Sequence, residues 1–66
     1  MNERRSIHLA TKRYMNIYGM SRRQAEVFTL HRRHDSISSI AMRLGISDST
    51  VMSHLYAARM KRAGGK

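Results

Sequence analysis

The chain has 66 residues with thirteen Lys and Arg against four Asp and Glu, a formal charge of +9, no cysteine and no proline. This length is expected to form one domain, residues 1–66, with a small core, because a chain of about 60 residues buries only about 60% of the surface that it exposes when unfolded. The composition excludes a disulfide framework, a thiolate zinc site and a membrane span of roughly 18 apolar residues, and no signal peptide is recognised, so a cytoplasmic location is expected.

The first predicted helix runs from about residue 3 to residue 18. Apolar side chains recur there at three- and four-residue spacing, which places them on one helix face. They are Ile7, Ala10, Tyr14 and either Ile17 or Tyr18, with Tyr14 expected to fill the core. Asn2 is a candidate cap at the start of this helix, and Gly19 is a candidate terminator.

The second predicted helix runs from about Arg22 to Arg33. Ser21, followed three residues later by Gln24, forms the capping-box arrangement that begins a helix. Its expected core face comprises Gln24, Val27, Phe28 and His31, with Leu30 beside them. Arg22 and Arg23 lie in the first turn, where the helix dipole disfavours cations, so compensation from outside the helix, for example by phosphate, is expected.

Two further helices follow the polar connection "HRRHDS". Ser36 caps the third, from about Ile37 to Leu44, and Gly45 is its natural left-handed terminator. Apolar Ile37, Ile40, Ala41 and Leu44 share one side of it. Ser47 caps the fourth helix, which continues to about Ala63 and is followed by a short tail.

Helices three and four are joined by so short a turn that they form a helix-turn-helix. Ala41 is small enough for the two helices to cross closely, and Gly45 supplies the backbone twist. The expected fold is therefore an all-α, four-helix domain with a scaffold helix at about 37–44 and a recognition helix, the last, at about 47–63. An ordinary helical hairpin without a role in DNA binding is the alternative.

The positive charge favours a nucleic acid over an anionic membrane surface as the partner. Most of it is arginine, whose planar guanidinium matches phosphate groups and guanine edges. A cationic membrane-active peptide is a weaker interpretation, because the glycine turn and the capping residues specify a tertiary structure that such peptides do not need.

Two segments carry a family resemblance: "MSRRQAEVFTLHRR" and "SISSIAMRLGISDSTVMSHL". They resemble the C-terminal, promoter-reading domain of extracytoplasmic-function sigma factors and, nearly as closely, the DNA-binding domain of LuxR and GerE type regulators. The resemblance extends from about Met20 to Arg62. Its firmest positions are Arg23, Glu26, Val27, Phe28, Ser36, Ile40, Ala41, Leu44, Gly45, Ile46, Ser47, Thr50, Val51, His54 and Leu55.

The resemblance implies a four-helix DNA-binding unit whose last helix enters the major groove. It also implies contact with RNA polymerase if the sigma family is the right one, and a dimer if the LuxR family is. Ser38 and Ser39 depart from the acidic dipeptide common in the scaffold helix, and Met52 stands where both families often carry lysine. No helix is expected after the recognition helix, so the LuxR dimerisation element and a second sigma domain are not expected.

The recognition helix separates into an inner and an outer face. At about 100° per residue, Val51, Leu55, Ala58 and Arg62 fall on the face expected to pack inward. The candidate base-reading residues lie opposite or beside that row and are Ser49, Thr50, Ser53, His54 and Ala57. Small side chains allow close approach to base edges, and hydroxyls bond to bases or phosphates.

Three residues of this helix keep more than one interpretation. For Thr50, a phosphate ligand and a local helix cap are equally good interpretations. His54 is either a DNA contact or a boundary histidine. Asp48 is expected to act as a first-turn partner of the helix dipole rather than as a reader of cytosine.

Eight residues are candidates for phosphate contact. They are Arg22, Arg23, Arg32, Arg33, Arg43, Ser47, Lys61 and Arg62. With about five to eight phosphates engaged, the logarithm of the binding constant is expected to fall against the logarithm of salt concentration with a slope of roughly −4 to −7. For each residue alone, a solvated surface position is nearly as good an explanation.

The sequence offers little for catalysis or cofactor binding. No nucleophile has a partner base, and neither a glycine-rich phosphate loop nor paired carboxylates occur, so an enzyme is not expected. His31 and His34, with His8, make only a weak metal pattern without cysteine or nearby carboxylates, and neither metal nor cofactor is expected.

The leading functional hypothesis is a transcriptional repressor that binds an inverted repeat of double-stranded DNA as a homodimer, because a domain this small gains specificity by pairing two half-sites. The candidate dimer contacts, otherwise core-edge filler, are Leu9, Met15, Met20, Met42, Met52, Tyr56 and Met60. The alternative is a sigma-region-4-like module that binds RNA polymerase or another regulator and alters promoter recognition.

Overall fold

The computed structural model describes residues 3–64. This part of the chain folds into four α-helices without a strand, and its helices are α1 (Glu3–Tyr18), α2 (Arg22–Arg32), α3 (Ile37–Leu44) and α4 (Asp48–Arg62). The all-α, four-helix prediction is confirmed, and every predicted boundary that falls in this part lies within one residue of the observed one. The predicted Asn2 cap and the last two residues of the tail lie outside the described residues.

A serine fixes the start of each of the last three helices. The side chains of Ser21, Ser36 and Ser47 each accept a hydrogen bond from the backbone N–H three residues ahead, at 3.1 to 3.2 Å. At α2 the capping box is complete, since Gln24 Oε1 accepts from the Ser21 N–H at 3.0 Å. Each cap satisfies a backbone donor that the helix itself leaves without a partner.

Left-handed glycines end the helices where the sequence predicts. Gly19 has a φ of 69° and follows α1, and Gly45 has a φ of 70° and follows α3. The N–H groups of Gly45 and Ile46 both donate to the carbonyl of Ala41, which closes the end of α3. The chain then reaches the Ser47 cap of α4 after a single intervening residue, so the turn of the helix-turn-helix is short and tightly bonded.

Helix α2 is the centre of the domain, because α1, α3 and α4 all pack against it, and α3 also packs against α4. Its buried side chains include Ala25, Val27, Phe28 and Leu30. Helix α3 contributes Ile40 and Ala41 to the same core, and α4 contributes Val51, Leu55 and Ala58. Met20, in the connection between α1 and α2, is also part of it.

The core face predicted for α2 was wrong at two positions. Gln24 and His31 are only half-buried, whereas Ala25 and Thr29 are buried. A single apolar stripe does not describe this helix, because neighbours cover it on several sides. Gln24 lies at the edge of the core, and its side chain closes the capping box.

Helix α1 packs its aromatic end against α2. The ring of Tyr14 meets the ring of Phe28 edge-on, with centroids 5.0 Å apart, and stacks on Tyr18 at 5.9 Å. Tyr14 therefore fills the edge of the core as predicted. Of the two alternatives for the last position, Tyr18 packs inward while Ile17 is 64% exposed. Thr11 is buried on the same face, which the apolar pattern did not indicate.

Candidate nucleic-acid interface

Helices α3 and α4 form a helix-turn-helix whose base is anchored in the core. Ile40 and Ala41 of α3 are buried, and so are Val51, Leu55 and Ala58 of α4. The other side of α4 is open to solvent. Anchoring from one side alone leaves α4 as a rigid rod that is available to a groove about as wide as a helix.

Three of the four residues predicted to face inward from α4 do so, and Arg62 does not. Arg62 is exposed, and its guanidinium carbon lies 6.0 Å from the centroid of the Phe28 ring. The assignment of Arg62 to the packing face was therefore wrong. A long side chain at the end of a helix reaches the core edge with its stem while its charged group stays in water.

The predicted base-reading residues divide by exposure. Ser49 and Ser53 are exposed on the open side of α4. Thr50, His54 and Ala57 are half-buried along the margin of that side. The five side chains therefore form one continuous strip along α4, with the two serines projecting furthest into solvent.

Hydroxyl groups cluster at the first turn of α4. Ser47 Oγ lies 2.8 Å from Thr50 Oγ1 and 3.4 Å from Ser49 Oγ, and it also accepts the Thr50 N–H. The hydroxyl of Thr50 thus has a local partner. The cluster lies at the N-terminal end of the helix, where the helix dipole favours an anion.

A hydrogen bond ties the two helices of the motif together outside the core. Ser38 Oγ of α3 donates to Asp48 Oδ2 of α4 at 3.3 Å. Asp48 occupies the first turn of its helix, as the dipole argument predicts, and it has a second function in bridging to the scaffold helix.

The first-turn cations of α2 are compensated from within their own helix. Glu26 lies 3.7 Å from Arg22 Nε and 3.3 Å from Arg23 Nη1. Part of the compensation that was expected from outside the helix therefore comes from a carboxylate within it. Residues three and four apart are neighbours on a helix surface, so one carboxylate serves both arginines.

Glu3, at the start of α1, forms ion pairs with two other arginines that were predicted to contact phosphate. Its carboxylate oxygens lie 3.4 Å from Arg33 Nη2 and 3.6 Å from Arg43 Nη2. These two ion pairs connect α1 to the end of α2 and to α3. All three side chains remain substantially exposed, so the pairs are open to exchange with another anion.

The remaining predicted phosphate-binding cations also have partners within the chain. Lys61 Nζ donates to the carbonyl of Gly19 at 3.0 Å, and Arg32 lies over the Phe28 ring at 5.8 Å. With Arg62 on the same ring, each of the seven predicted cations makes an intramolecular contact.

Sequence reasoning missed the cations that have no such contact. Within residues 3–64, the side chains of Arg5, Lys12, Arg13 and Arg59 are exposed and make no ion pair or hydrogen bond. Three of them lie on the outer side of α1, and Arg59 lies near the end of α4. The signal that indicates them is the cluster of basic residues on the polar side of the first helix.

The exposed apolar residues change the list of candidate dimer contacts. Met20 is buried and therefore not available to a partner, and Met15 is half-buried and packs against the core. The side chains that remain outside are Leu9, Met42, Met52, Tyr56 and Met60. The last three recur every four residues along α4 and adjoin the strip that contains Ser49 and Ser53.

The described residues contain neither a metal-binding cluster nor a membrane-spanning helix. In the segment from residue 3 to residue 64, no three His, Asp or Glu side chains are grouped to hold a metal ion. None of the four helices in that segment is both long and apolar enough to cross a bilayer.

Comparison with known proteins agrees with this geometry. The family model described as "Sigma-70, region 4" matches residues 18–61. The match begins at the last residue of α1 and includes α2, α3 and all but the last residue of α4. A search of curated proteins and a search of solved structures each gave no significant match.

Proposed function

The chain belongs to the sigma-70 region 4 family of helix-turn-helix DNA-binding domains, which act in transcription, and we propose that it is a sequence-specific transcriptional regulator that binds double-stranded DNA through α4. The family is not a family of enzymes. The observation that supports this proposal most is the exposure of Ser49 and Ser53 on a helix whose opposite side is anchored by Val51 and Leu55.

In this proposal the strip along α4 reads the bases. Ser49 and Ser53 approach the base edges most closely, since they are small, exposed and able to donate or accept hydrogen bonds. Thr50, His54 and Ala57 contact the bases from the margin of the strip. The hydroxyl of Ser47 and the free N–H groups of the first turn hold a phosphate beside them.

When the paired arginines bind DNA, phosphate groups replace the carboxylates of Glu3 and Glu26 as their partners. The cations proposed for it are Arg22, Arg23, Arg32, Arg33, Arg43, Lys61 and Arg62. Exposed ion pairs stabilise a protein by only about 0 to 1 kcal/mol, so Glu3 and Glu26 release their arginines to DNA at little cost.

The proposed mode of action is repression by a homodimer on an inverted repeat in the cytoplasm. Two copies reading half-sites one helical turn apart combine the modest specificity of each small domain. The apolar side chains left outside the core, among them Tyr56 and Met60, are the candidate contacts between the copies.

A second function is favoured by the family match itself. A sigma-region-4-like module that contacts RNA polymerase or another regulator alters promoter recognition as a monomer. It predicts an asymmetric DNA site in place of an inverted repeat.

One experiment tests the proposal and separates the two modes of action. Light scattering after size-exclusion chromatography gives the oligomeric state, and selection from a pool of random duplexes gives the bound sequence. A dimer with an enriched inverted repeat supports the homodimeric regulator. A monomer with an asymmetric motif supports the polymerase-binding module, and the absence of any enriched sequence contradicts both.

A further inference from the structure

An arginine-rich cleft opens between the C-terminal ends of α2 and α4. It has a volume of about 410 Å³ and is lined by Phe28, His31, Arg32, Arg59 and Arg62. This volume lies within the range of small ligand pockets, about 300 to 1,000 Å³. The cleft does not include the strip of Ser49 and Ser53 that is proposed to read bases.

The ring of Phe28 fixes two of the three arginines. Phe28 is 5% exposed, and the guanidinium carbons of Arg32 and Arg62 lie 5.8 and 6.0 Å from its centroid. Attraction between a cation and the face of an aromatic ring is worth about 0.5 to 1 kcal/mol at exposed sites. The two guanidiniums are therefore positioned before any ligand arrives.

The cleft concentrates positive charge without an acidic neighbour. Neither Asp nor Glu is among its lining residues, and the side chain of Arg59 has no ion pair or hydrogen bond within residues 3–64. Arg22, Arg23, Arg33 and Arg43 differ from these three, because each of them forms an ion pair with Glu3 or Glu26. Both helix ends favour cations through their dipoles, which offsets part of the repulsion between the three arginines.

We propose that this cleft binds a phosphate-bearing anion, with Arg59 as its principal free donor and Arg32 and Arg62 beside it. A planar guanidinium donates two parallel hydrogen bonds to a phosphate, and three of them match the several oxygens of a phosphate or diphosphate group. The guanidiniums already cover the aromatic ring, so recognition is directed at the phosphate rather than at a stacked base.

Two sources supply this chemistry: the backbone of DNA that extends past the bases read by α4, and a free diphosphate. The proposed function already assigns Arg32 and Arg62 to DNA phosphate; the inference goes beyond it because it adds Arg59, joins the three in one cleft and includes a free diphosphate as a ligand. Only the DNA arm of the test rests on that function.

Calorimetric titration with pyrophosphate tests the cleft directly. Arg59→Gln removes an exposed charge that has no partner in the described part of the chain, and Arg5→Gln removes a similar one on α1. We expect pyrophosphate affinity to fall at least about fivefold in Arg59→Gln and less than about twofold in Arg5→Gln, as loss of a charge-assisted bidentate contact predicts. Equal urea midpoints for the two variants exclude unfolding as the cause.

Anisotropy titration with the selected duplex identifies the source. Loss of pyrophosphate binding alone in Arg59→Gln assigns the cleft to a free diphosphate, and loss of DNA affinity, with or without pyrophosphate, assigns it to the DNA backbone. The proposal is overturned if Arg59→Gln and Arg5→Gln have equal effects on both ligands, or if the unaltered protein binds neither. A Ser53→Glu variant that loses DNA but keeps pyrophosphate separates this site from base reading.

Discussion

Ser38 Oγ of α3 donates a hydrogen bond to Asp48 Oδ2 of α4 at 3.3 Å, across the turn of the helix-turn-helix. The acidic partner in this bond lies on the recognition helix, in the first turn of α4. At this position the carboxylate of Asp48 also interacts favourably with the positive end of the α4 dipole. The bond fixes the first turn of α4 relative to its scaffold, next to the hydroxyl cluster of Ser47.

A double-mutant cycle measures this link. Ser38→Ala is expected to lower the free energy of unfolding by about 0.5 kcal/mol, since the bond is exposed, and Asp48→Ala by about 1 kcal/mol, since it also removes the dipole interaction. The two losses are expected to be less than additive by about 0.5 kcal/mol in urea denaturation. Strict additivity means that the two side chains do not interact in solution.

Because Gly45 has a left-handed backbone conformation, any side chain at this position is expected to lower the free energy of unfolding. Gly45 has a φ of 70°, and an added Cβ meets no atom within 4 Å, so the penalty comes from the backbone alone. Gly45→Ala is expected to reduce the free energy of unfolding by about 1 to 2 kcal/mol, and Gly45→Asn by less, because asparagine tolerates this conformation better. Equal stability of all three proteins in thermal denaturation contradicts a left-handed turn.

Neighbouring positions on α3 test the placement of the core. Ile40 is fully buried, whereas Met42, two residues later, is 85% exposed. Ile40→Ala is expected to cost about 2 to 5 kcal/mol, which is enough to unfold much of a domain of this size, and Met42→Ala less than about 0.5 kcal/mol. Circular dichroism with urea titration compares them. A large loss in Met42→Ala indicates that this side chain is covered by a partner subunit.

Releasing arginines from Glu3 is expected to strengthen DNA binding. Glu3→Gln frees Arg33 and Arg43, and affinity at low salt is expected to rise by up to about fivefold, since an exposed pair is worth up to about 1 kcal/mol. Asp35→Asn is the control, because it removes the same charge without releasing an ion pair in the described residues. Anisotropy titration measures both. An equal rise in the two variants shows that net charge, rather than release of these arginines, is responsible.

Local signals in the sequence were sufficient to predict the helices of this domain. Serine caps at Ser21, Ser36 and Ser47 and a glycine terminator at Gly45 act through backbone hydrogen bonds a few residues away, so their effect depends little on the rest of the fold. The inner face of α4 was predicted for the same reason, since helical periodicity alone aligns Val51, Leu55 and Ala58.

Contacts between distant residues were not predictable in this way. Glu3 pairs with Arg33 and Arg43, which are 30 and 40 positions away, and nothing in the sequence distinguishes these arginines from Arg5, which forms no ion pair within residues 3–64. The left-handed residue in the α2–α3 connection, His34 with a φ of 71°, likewise follows from how the chain must turn between packed helices. The cleft around Phe28 arises only when the ends of α2 and α4 meet.

If the open side of α4 contacts DNA, a negative charge placed there weakens binding more than the same charge placed elsewhere on the surface. Ser53→Glu places a negative charge on that side, and Asn16→Glu places the same charge on the exposed side of α1. Affinity for the selected duplex, measured by anisotropy, is expected to fall about tenfold or more in Ser53→Glu, since a single base contact is worth about 1 to 3 kcal/mol, and by less than about threefold in Asn16→Glu. Equal losses in the two folded variants would contradict the account.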